Sequence, residues 1–372
     1  MNVEIYRFSF VDLFPYIFLL SLSFWASSYK IKGVNSDSFI CWLLIIFSAI
    51  RFGIGYDYFA YRMLILGESA DHSWERIEPL ARSIMELARS IHYQCFFIIT
   101  SFLVIYPIYF VSKKYSKNAS MSLILYILFP IFFLESMSIV RNAVAYSIVF
   151  LAFHFFLEKK YIQALILFCC SIGFHTSSLI GLFLLLIYYF RKGVFFNIIL
   201  YLLSIGVSSF FLSAILDANS DFPALKIVIN YALAGQVGAG NTMMILINII
   251  GITNILLWKK LEKIDERNRL WLNIINFGVV LWNVFGFEGT LRLRLSSFFL
   301  LFLILLLPSY CYLCGYKYQK ISRQLLYFLF VLVFCSSFYI NISSHLKEGG
   351  KMSFLPYQTI FYNREYPLYV NP

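Results

Sequence analysis

Long apolar runs recur from one end of the chain to the other, separated by short charged or glycine-bearing breaks, and this recurrence limits the possible folds more than any other feature. The runs fall at residues 13 to 28, 39 to 51, 93 to 111, 120 to 134, 139 to 157, 161 to 174, 177 to 190, 194 to 213, 242 to 258, 270 to 287, 295 to 313 and 325 to 341. A helix needs about 20 apolar residues to cross a bilayer, so the pattern predicts about twelve spans, within a range of roughly ten to fourteen. Only 13% of the 372 residues are charged, about half the share of a soluble domain, and mean hydropathy is +0.77. A soluble enzyme is excluded. The expected fold class is all-α: one integral membrane domain over residues 1–372, a polytopic transmembrane helical bundle with short or broken helices around an external cavity. The first run lacks a small-residue cleavage pattern and leads into further apolar segments, so it reads as a retained span.

The net charge is +11, but no basic run is continuous enough to follow a phosphate backbone, and no nucleic-acid partner is expected. The charge orients the chain instead. Short basic connections at Lys30 and Lys32, Lys113 to Lys117, Lys159 and Lys160, Arg191 and Lys192, Lys259 to Arg269, and Lys317 to Arg323 alternate with the spans and are expected to face the cytoplasm. Of these 17 basic residues 13 are lysine, whereas ten of the other 13 are arginine. Lysine suffices as a topological charge, while arginine's planar fork suits phosphates and carboxylates. The external arginines therefore point to an anionic ligand on that side, the alternative being arginines that snorkel to headgroups or pair with nearby acids.

Thirty residues separate Lys160 from Arg191. As one helix they would reach about 45 Å, too long for a bilayer, and as two they are too short for full spans. A re-entrant hairpin turning at Gly173 to Ser178 is expected, with His175 at the floor of the external cavity, since broken helices at membrane depth must be buried in protein or line water. Three longer segments, 52–92, 214–241 and the tail 342–372, are expected outside. The first carries an amphipathic interfacial helix beginning at Pro79, with Leu80, Ile84, Leu87 and Ile91 on one face and Glu78, Arg82, Glu86 and Arg89 as ion pairs on the other. The second reads as a flexible loop or lid.

Chemistry concentrates at a few positions. Arg51-Phe-Gly-Ile-Gly-Tyr-Asp57-Tyr-Phe-Ala-Tyr61 follows the second run directly, with glycines for close backbone approach and Asp57 one helical turn from Tyr61. Arg141, followed by Asn142, opens a strongly apolar helix, and an ionisable group there is by default functional, its partner a bound anion or Glu135. Arg292 and Arg294, after Glu288, alternate with leucines and are expected in an extended loop over the cavity. Of the five histidines, only His175 combines expected membrane depth with neighbouring hydroxyls, and general base is its obvious role. Cys311 and Cys314 form a lone CxxC with no companion ligands, so no metal site is expected. The bland alternative is an ion-paired network bracing the external face.

Arg51 to Tyr61, then Ile77-Glu78-Pro79-Leu80, Arg141-Asn142-Ala-Val-Ala, Gly173-Phe-His175-Thr-Ser-Ser and the tail Phe354-Leu-Pro356-Tyr357 resemble, in order and spacing, the EpsG family of Wzy-type polysaccharide polymerases. The likeness runs from about residue 40 to 360. The family pattern often has threonine where this chain has Tyr56. The resemblance implies a glycosyltransferase of the bacterial cytoplasmic membrane with its active site facing outward. It implies that repeat units carried on polyprenyl pyrophosphate are joined into O-antigen, capsule or exopolysaccharide. A chain-length regulator and a flippase of the same pathway are the implied protein partners. On this reading His175 or Asp57 is the base, and Arg141, Arg292, Arg294 and Arg51 stabilise the departing pyrophosphate. Tyr61, Glu78, Asn142 and Glu288 are candidate substrate contacts. No cofactor or metal is called for, because the lipid donor is already activated. A lipid-linked oligosaccharide flippase and a membrane O-acyltransferase are the alternatives.

Overall fold

The structure is a computed structural model, and it describes residues 9–29, 35–68, 72–217, 241–313, 315–348 and 353–362. Of the loop expected at 214–241, residues 218–240 lie outside these, as do Cys314 and the last ten residues, while 214–217 and 241 belong to helices. The described chain is helical apart from one two-stranded ribbon, and it divides into two compact units, residues 1–178 with 320–372, and residues 179–319.

In the first unit, α1 (Phe14–Ser28) and α2 (Ser36–Ala49) lead into strand β1 (Arg51–Phe52), then α3 (Tyr58–Leu66), α4 (Pro79–Ile91), α5 (Gln94–Tyr115), α6 (Ala119–Leu128), α7 (Phe133–Ser138), α8 (Val140–Leu157) and α9 (Tyr161–Phe174). Helix α5 packs between α2 and α8, and α9 packs on α8. Helix α8 is apolar on all sides and is correspondingly enclosed, with Val140, Ala143, Val144, Tyr146, Val149 and Phe150 all buried. Asn118 starts α6 by accepting the Met121 amide on its side chain, at 2.9 Å.

The second unit holds α10 (Phe183–Tyr189), α11 (Val194–Asp217), α12 (Asn241–Ile264), α13 (Asn268–Val284), α14 (Gly289–Leu300) and α15 (Leu303–Tyr310). Its centre is α13, against which α11, α12 and α14 pack. Asparagines bind these helices together. Asn276 donates to the Asn197 side chain at 2.8 Å, Asn197 to Asn273 at 3.1 Å, and Asn248 and Asn283 exchange amide bonds at 3.0 Å. Such pairs hold helices in register where hydrophobicity cannot discriminate between neighbours. The chain then returns to the first unit through α16 (Gln319–Glu348) and strand β2 (Gln358–Thr359), which pairs antiparallel with β1.

Fewer helices than the twelve expected spans reach full spanning length. Among the described residues five helical stretches are long and apolar enough to cross a membrane: Phe10–Ser28, Gln94–Tyr115, Val140–Leu157, Met243–Ile264 and Tyr316–Ile340. Helices α14 and α15, bent by 59°, make a sixth if the pair is one span. Several other apolar runs fold as shorter helices, among them Ser36–Ala49, Ala119–Leu128 and Tyr161–Phe174. Interruptions that satisfy backbone groups locally divide several of the runs. One such interruption is the turn at Phe129 to Phe132, and another is the extended His175 that ends α9.

Candidate functional site

Three pieces of the first unit converge on Glu78. The carboxylate stands at the N-cap of α4, and one oxygen takes a hydrogen bond and ion pair from an Arg141 Nη. Its other oxygen accepts the Thr176 amide at 3.3 Å and lies 3.9 Å from His175 Nδ1. Arg141 also donates through Nε to the Tyr61 hydroxyl at 3.3 Å. The sequence reading offered Glu135 or a bound anion as the arginine's partner, and Glu78 takes that place. The arginine side chain is 24% exposed and that of Glu78 11%, so the pair is largely desolvated yet reachable.

Local structure explains the convergence. Ile139 leaves the helical region (φ −87°, ψ 55°), which sets Arg141 in the first turn of α8, where unpaired amides add partial positive charge. Helix α9 stops at Phe174, and the turn that follows is fixed at two points. Ser177 Oγ donates to Asn142 Oδ1 at 2.7 Å, and the Ser178 amide donates to the His175 carbonyl at 3.0 Å. Within that turn the Ser177 amide donates to His175 Nδ1 at 3.2 Å. Helix α4 begins at Pro79 as expected, but it buries Ala81, Met85 and Ala88 and leaves Leu80, Leu87 and Ile91 exposed. Its expected ion-pair ladder is replaced. Glu78 turns to Arg141, while Arg82 and Arg89 donate to the carbonyls of Glu75, Ile77, Leu64 and Ile65.

Asp57 occupies the N-cap position of α3, one turn before Tyr61, without a side-chain capping bond. The loop that presents it is wedged against the α7–α8 junction, with the Tyr56 amide on Ser138 Oγ at 3.2 Å and Gly55 (φ +98°) against the backbone of Met137. Glu135 is nearby, outside the spanning helices. Burial, helped by the charge of Asp57, pushes its carboxyl up to about 7. The C-terminal tail braces the same loop. Ser353 carbonyl accepts the Gly55 amide at 2.8 Å, Ile50 carbonyl accepts the Ile360 amide at 3.0 Å, and the Tyr16 hydroxyl holds the Phe354 carbonyl at 2.7 Å.

Arg51, expected among the pyrophosphate ligands, is 1% exposed. It donates to Ser48 Oγ and Ser101 Oγ at 2.9 and 3.3 Å and lies over the Phe97 ring, so it ties α2 to α5. Arg292 and Arg294 occupy the second unit, and the extended loop expected for them is helix α14. Glu288 starts that helix, its carboxylate accepting the amides of Thr290 and Leu291. Two residues apart on a helix, the two arginines diverge. Arg292 is buried with its guanidinium over Trp282, and Arg294 is half-buried. Tyr61, Glu78, Asn142, Arg141, His175 and Asp57 thus belong to one unit, and Glu288, Arg292 and Arg294 to the other.

Sequence reasoning missed that Glu78 is the hub, that Asn142 pins the His175 turn, and that Glu135 accompanies Asp57. The motif order placed Glu78, Asn142, His175 and Asp57 near chemistry, and Glu135 was offered only as a partner for Arg141; pairing between motifs is a tertiary property.

Fold and site together define a multi-pass helical membrane protein with a desolvated arginine–carboxylate–histidine cluster. The EpsG family model matches residues 35–359, and the chain belongs to the EpsG family. Neither a curated protein nor a solved structure matches it. Membership places the chain among polymerase-type membrane proteins of polysaccharide biosynthesis.

Proposed function

We propose that this protein joins oligosaccharide repeat units carried on polyprenyl pyrophosphate, by glycosyl transfer in an outward-facing cavity of the bacterial cytoplasmic membrane. The observation that carries the reading is the Glu78-held Arg141 beside His175 in a chain of the EpsG family. The growing chain passes from its lipid to the non-reducing end of an incoming unit. The acceptor O–H attacks the anomeric carbon, the bond to the pyrophosphate oxygen breaks, and its electron pair leaves with the lipid pyrophosphate. The hydroxyl proton goes to a base at the site, for which Asp57 and His175 are the two candidates.

Charge develops on the leaving pyrophosphate, and a preorganised guanidinium stabilises it without waiting for solvent to reorganise. Arg141 suits this task. Its bonds to Tyr61 and Glu78 use Nε and one Nη hydrogen of the five N–H groups a guanidinium carries, so the fork is aimed while retaining donors for phosphate. Tyr61 and Asn142 are proposed to contribute to the substrate surface. A chain-length regulator and a flippase are the proposed protein partners.

The test is a gel of surface polysaccharide from the source strain with the gene deleted and then restored. Loss of the long-chain ladder with single units still reaching the surface is the expected result. Complete loss of surface units points to a flippase, and an intact ladder with altered acylation to an acyltransferase, either of which overturns the reading.

A further inference from the structure

His175 is the obvious base by residue type, but the turn that holds it assigns its protons differently. The Ser177 amide, whose hydrogen position follows from the backbone, donates to Nδ1 at 3.2 Å. A neutral imidazole carries one proton, so an Nδ1 that accepts leaves the proton on Nε2. The turn is not free to release this bond cheaply. Thr176 is fixed by its amide on Glu78, Ser177 by its hydroxyl on Asn142, and Ser178 by its amide on the His175 carbonyl. The imidazolium also carries a proton on Nε2. An imidazolium would lose the Ser177 bond, because its Nδ1 also carries a proton; in the neutral state that the turn holds, Nε2 is therefore a donor, and the lone pair that a general base needs is absent there.

Resting on the polymerase reading, we infer that His175 binds the leaving pyrophosphate as a hydrogen-bond donor through Nε2, alongside Arg141, and that Asp57 takes the proton of the acceptor hydroxyl. The balance is complete without a basic histidine. The acceptor oxygen forms the new bond to the anomeric carbon and loses its proton to the Asp57 carboxylate, while the glycosidic electron pair departs on the pyrophosphate oxygen that Nε2–H and the Arg141 fork receive. The side chain of His175 is 15% exposed, enough for one edge of the ring to meet a ligand. Asp57 stands one turn before Tyr61, whose hydroxyl accepts a hydrogen bond from Arg141, so the chain joins the acceptor side to the leaving-group side through one residue.

Two measurements test this on the full-length protein. The first is the polysaccharide ladder in strains carrying His175→Gln or His175→Ala at wild-type protein levels. A glutamine amide donates from near the position of Nε2 but accepts no proton. His175→Ala is expected to lower long-chain product about 100-fold, as loss of one preorganised donor does, and His175→Gln to recover at least about tenfold of that. A glutamine variant as inactive as the alanine variant overturns the inference. The second is nitrogen NMR of imidazole-labelled wild-type protein in lipid nanodiscs, with His175 assigned by elimination as the ring signal that persists in each of His72→Gln, His92→Gln, His154→Gln and His345→Gln. A proton on Nε2 is expected, and an Nδ1–H, bare-Nε2 ring overturns the assignment even if the glutamine variant does not fold. A ladder unchanged by deleting the gene sinks the polymerase reading instead, and the NMR result then still reports the tautomer separately.

Discussion

Leu80 fills the space that a side chain on Gly173 would need. A Cβ on that glycine would stand 2.8 Å from Leu80 Cγ, closer than real Cβ contacts come. Helix α4 therefore sits directly on the end of α9, and this contact brings Glu78, two residues before Leu80, to the turn carrying His175 and Thr176. Gly173→Ala is expected to push α4 away, costing about 1–3 kcal/mol of stability by overpacking. Long-chain product should fall further than protein level does. The pair of readouts is thermal unfolding in detergent and the ladder; a Gly173→Ala protein with a normal ladder would mean that the α4–α9 contact does not set the site.

Glu78→Gln leaves the Arg141 charge largely desolvated and without its carboxylate. The expected loss is about 3 kcal/mol, the low end for a broken buried pair, because part of the arginine is solvated. Adding Arg141→Gln should restore much of the stability and none of the activity. A double-mutant cycle with no coupling energy would contradict the ion pair.

Arg141→Lys keeps the charge and loses the fork. Lysine cannot hold Tyr61 and Glu78 through separate nitrogens of one plane while presenting further donors, so long-chain product is expected to drop about 10- to 100-fold with the fold intact. Lysine performing as well as arginine would show that a point charge suffices.

Gly55 has φ +98°, and a Cβ there would collide with the Met137 carbonyl oxygen at 2.1 Å. Gly55→Ala combines a disfavoured backbone with a backbone clash, so the loop bearing Asp57 must detach from the α7–α8 junction and from Ser353. A loss of at least about 3 kcal/mol is expected, since each effect alone is worth about 1–3. Unfolding temperature is the readout.

The Glu135 carboxyl is raised from its ordinary 4.5 to about 7, chiefly by burial. The folded protein thus holds a proton that the unfolded chain releases, and stability present at low pH declines as pH rises from about 4.5 through about 7. Glu135→Gln removes this decline, so the variant should gain on the wild type across that interval and hold the advantage above it. Parallel stability curves for the two proteins would rule the effect out.

The tail shows how the sequence reading worked and where it stopped. Phe354 to Tyr357 was recognisable only as part of a recurring motif order, yet its role depends on β2 pairing with β1 some 300 residues earlier, which no local pattern encodes. The helix at Pro79 was legible because its start signal and periodicity are local. Its ion pairs were assigned wrongly because i,i+4 neighbours are the only partners a sequence reveals.

Apolar recurrence and low charge fixed by themselves that this chain is a multi-pass helical membrane protein. Motif order fixed the family, and residue type marked Arg141, since an ionisable group at an apolar helix is costly, while His175 and Asp57 were marked by their hydroxyl and glycine neighbours. Tertiary structure decided the rest: which runs are long enough to span, that Arg51 is buried, that Arg292 and Arg294 are helical, and that Glu78 pairs with Arg141. Those outcomes depend on which surfaces meet, and a hydrogen bond or a clash between residues 60 to 300 positions apart leaves no mark in the local sequence of either.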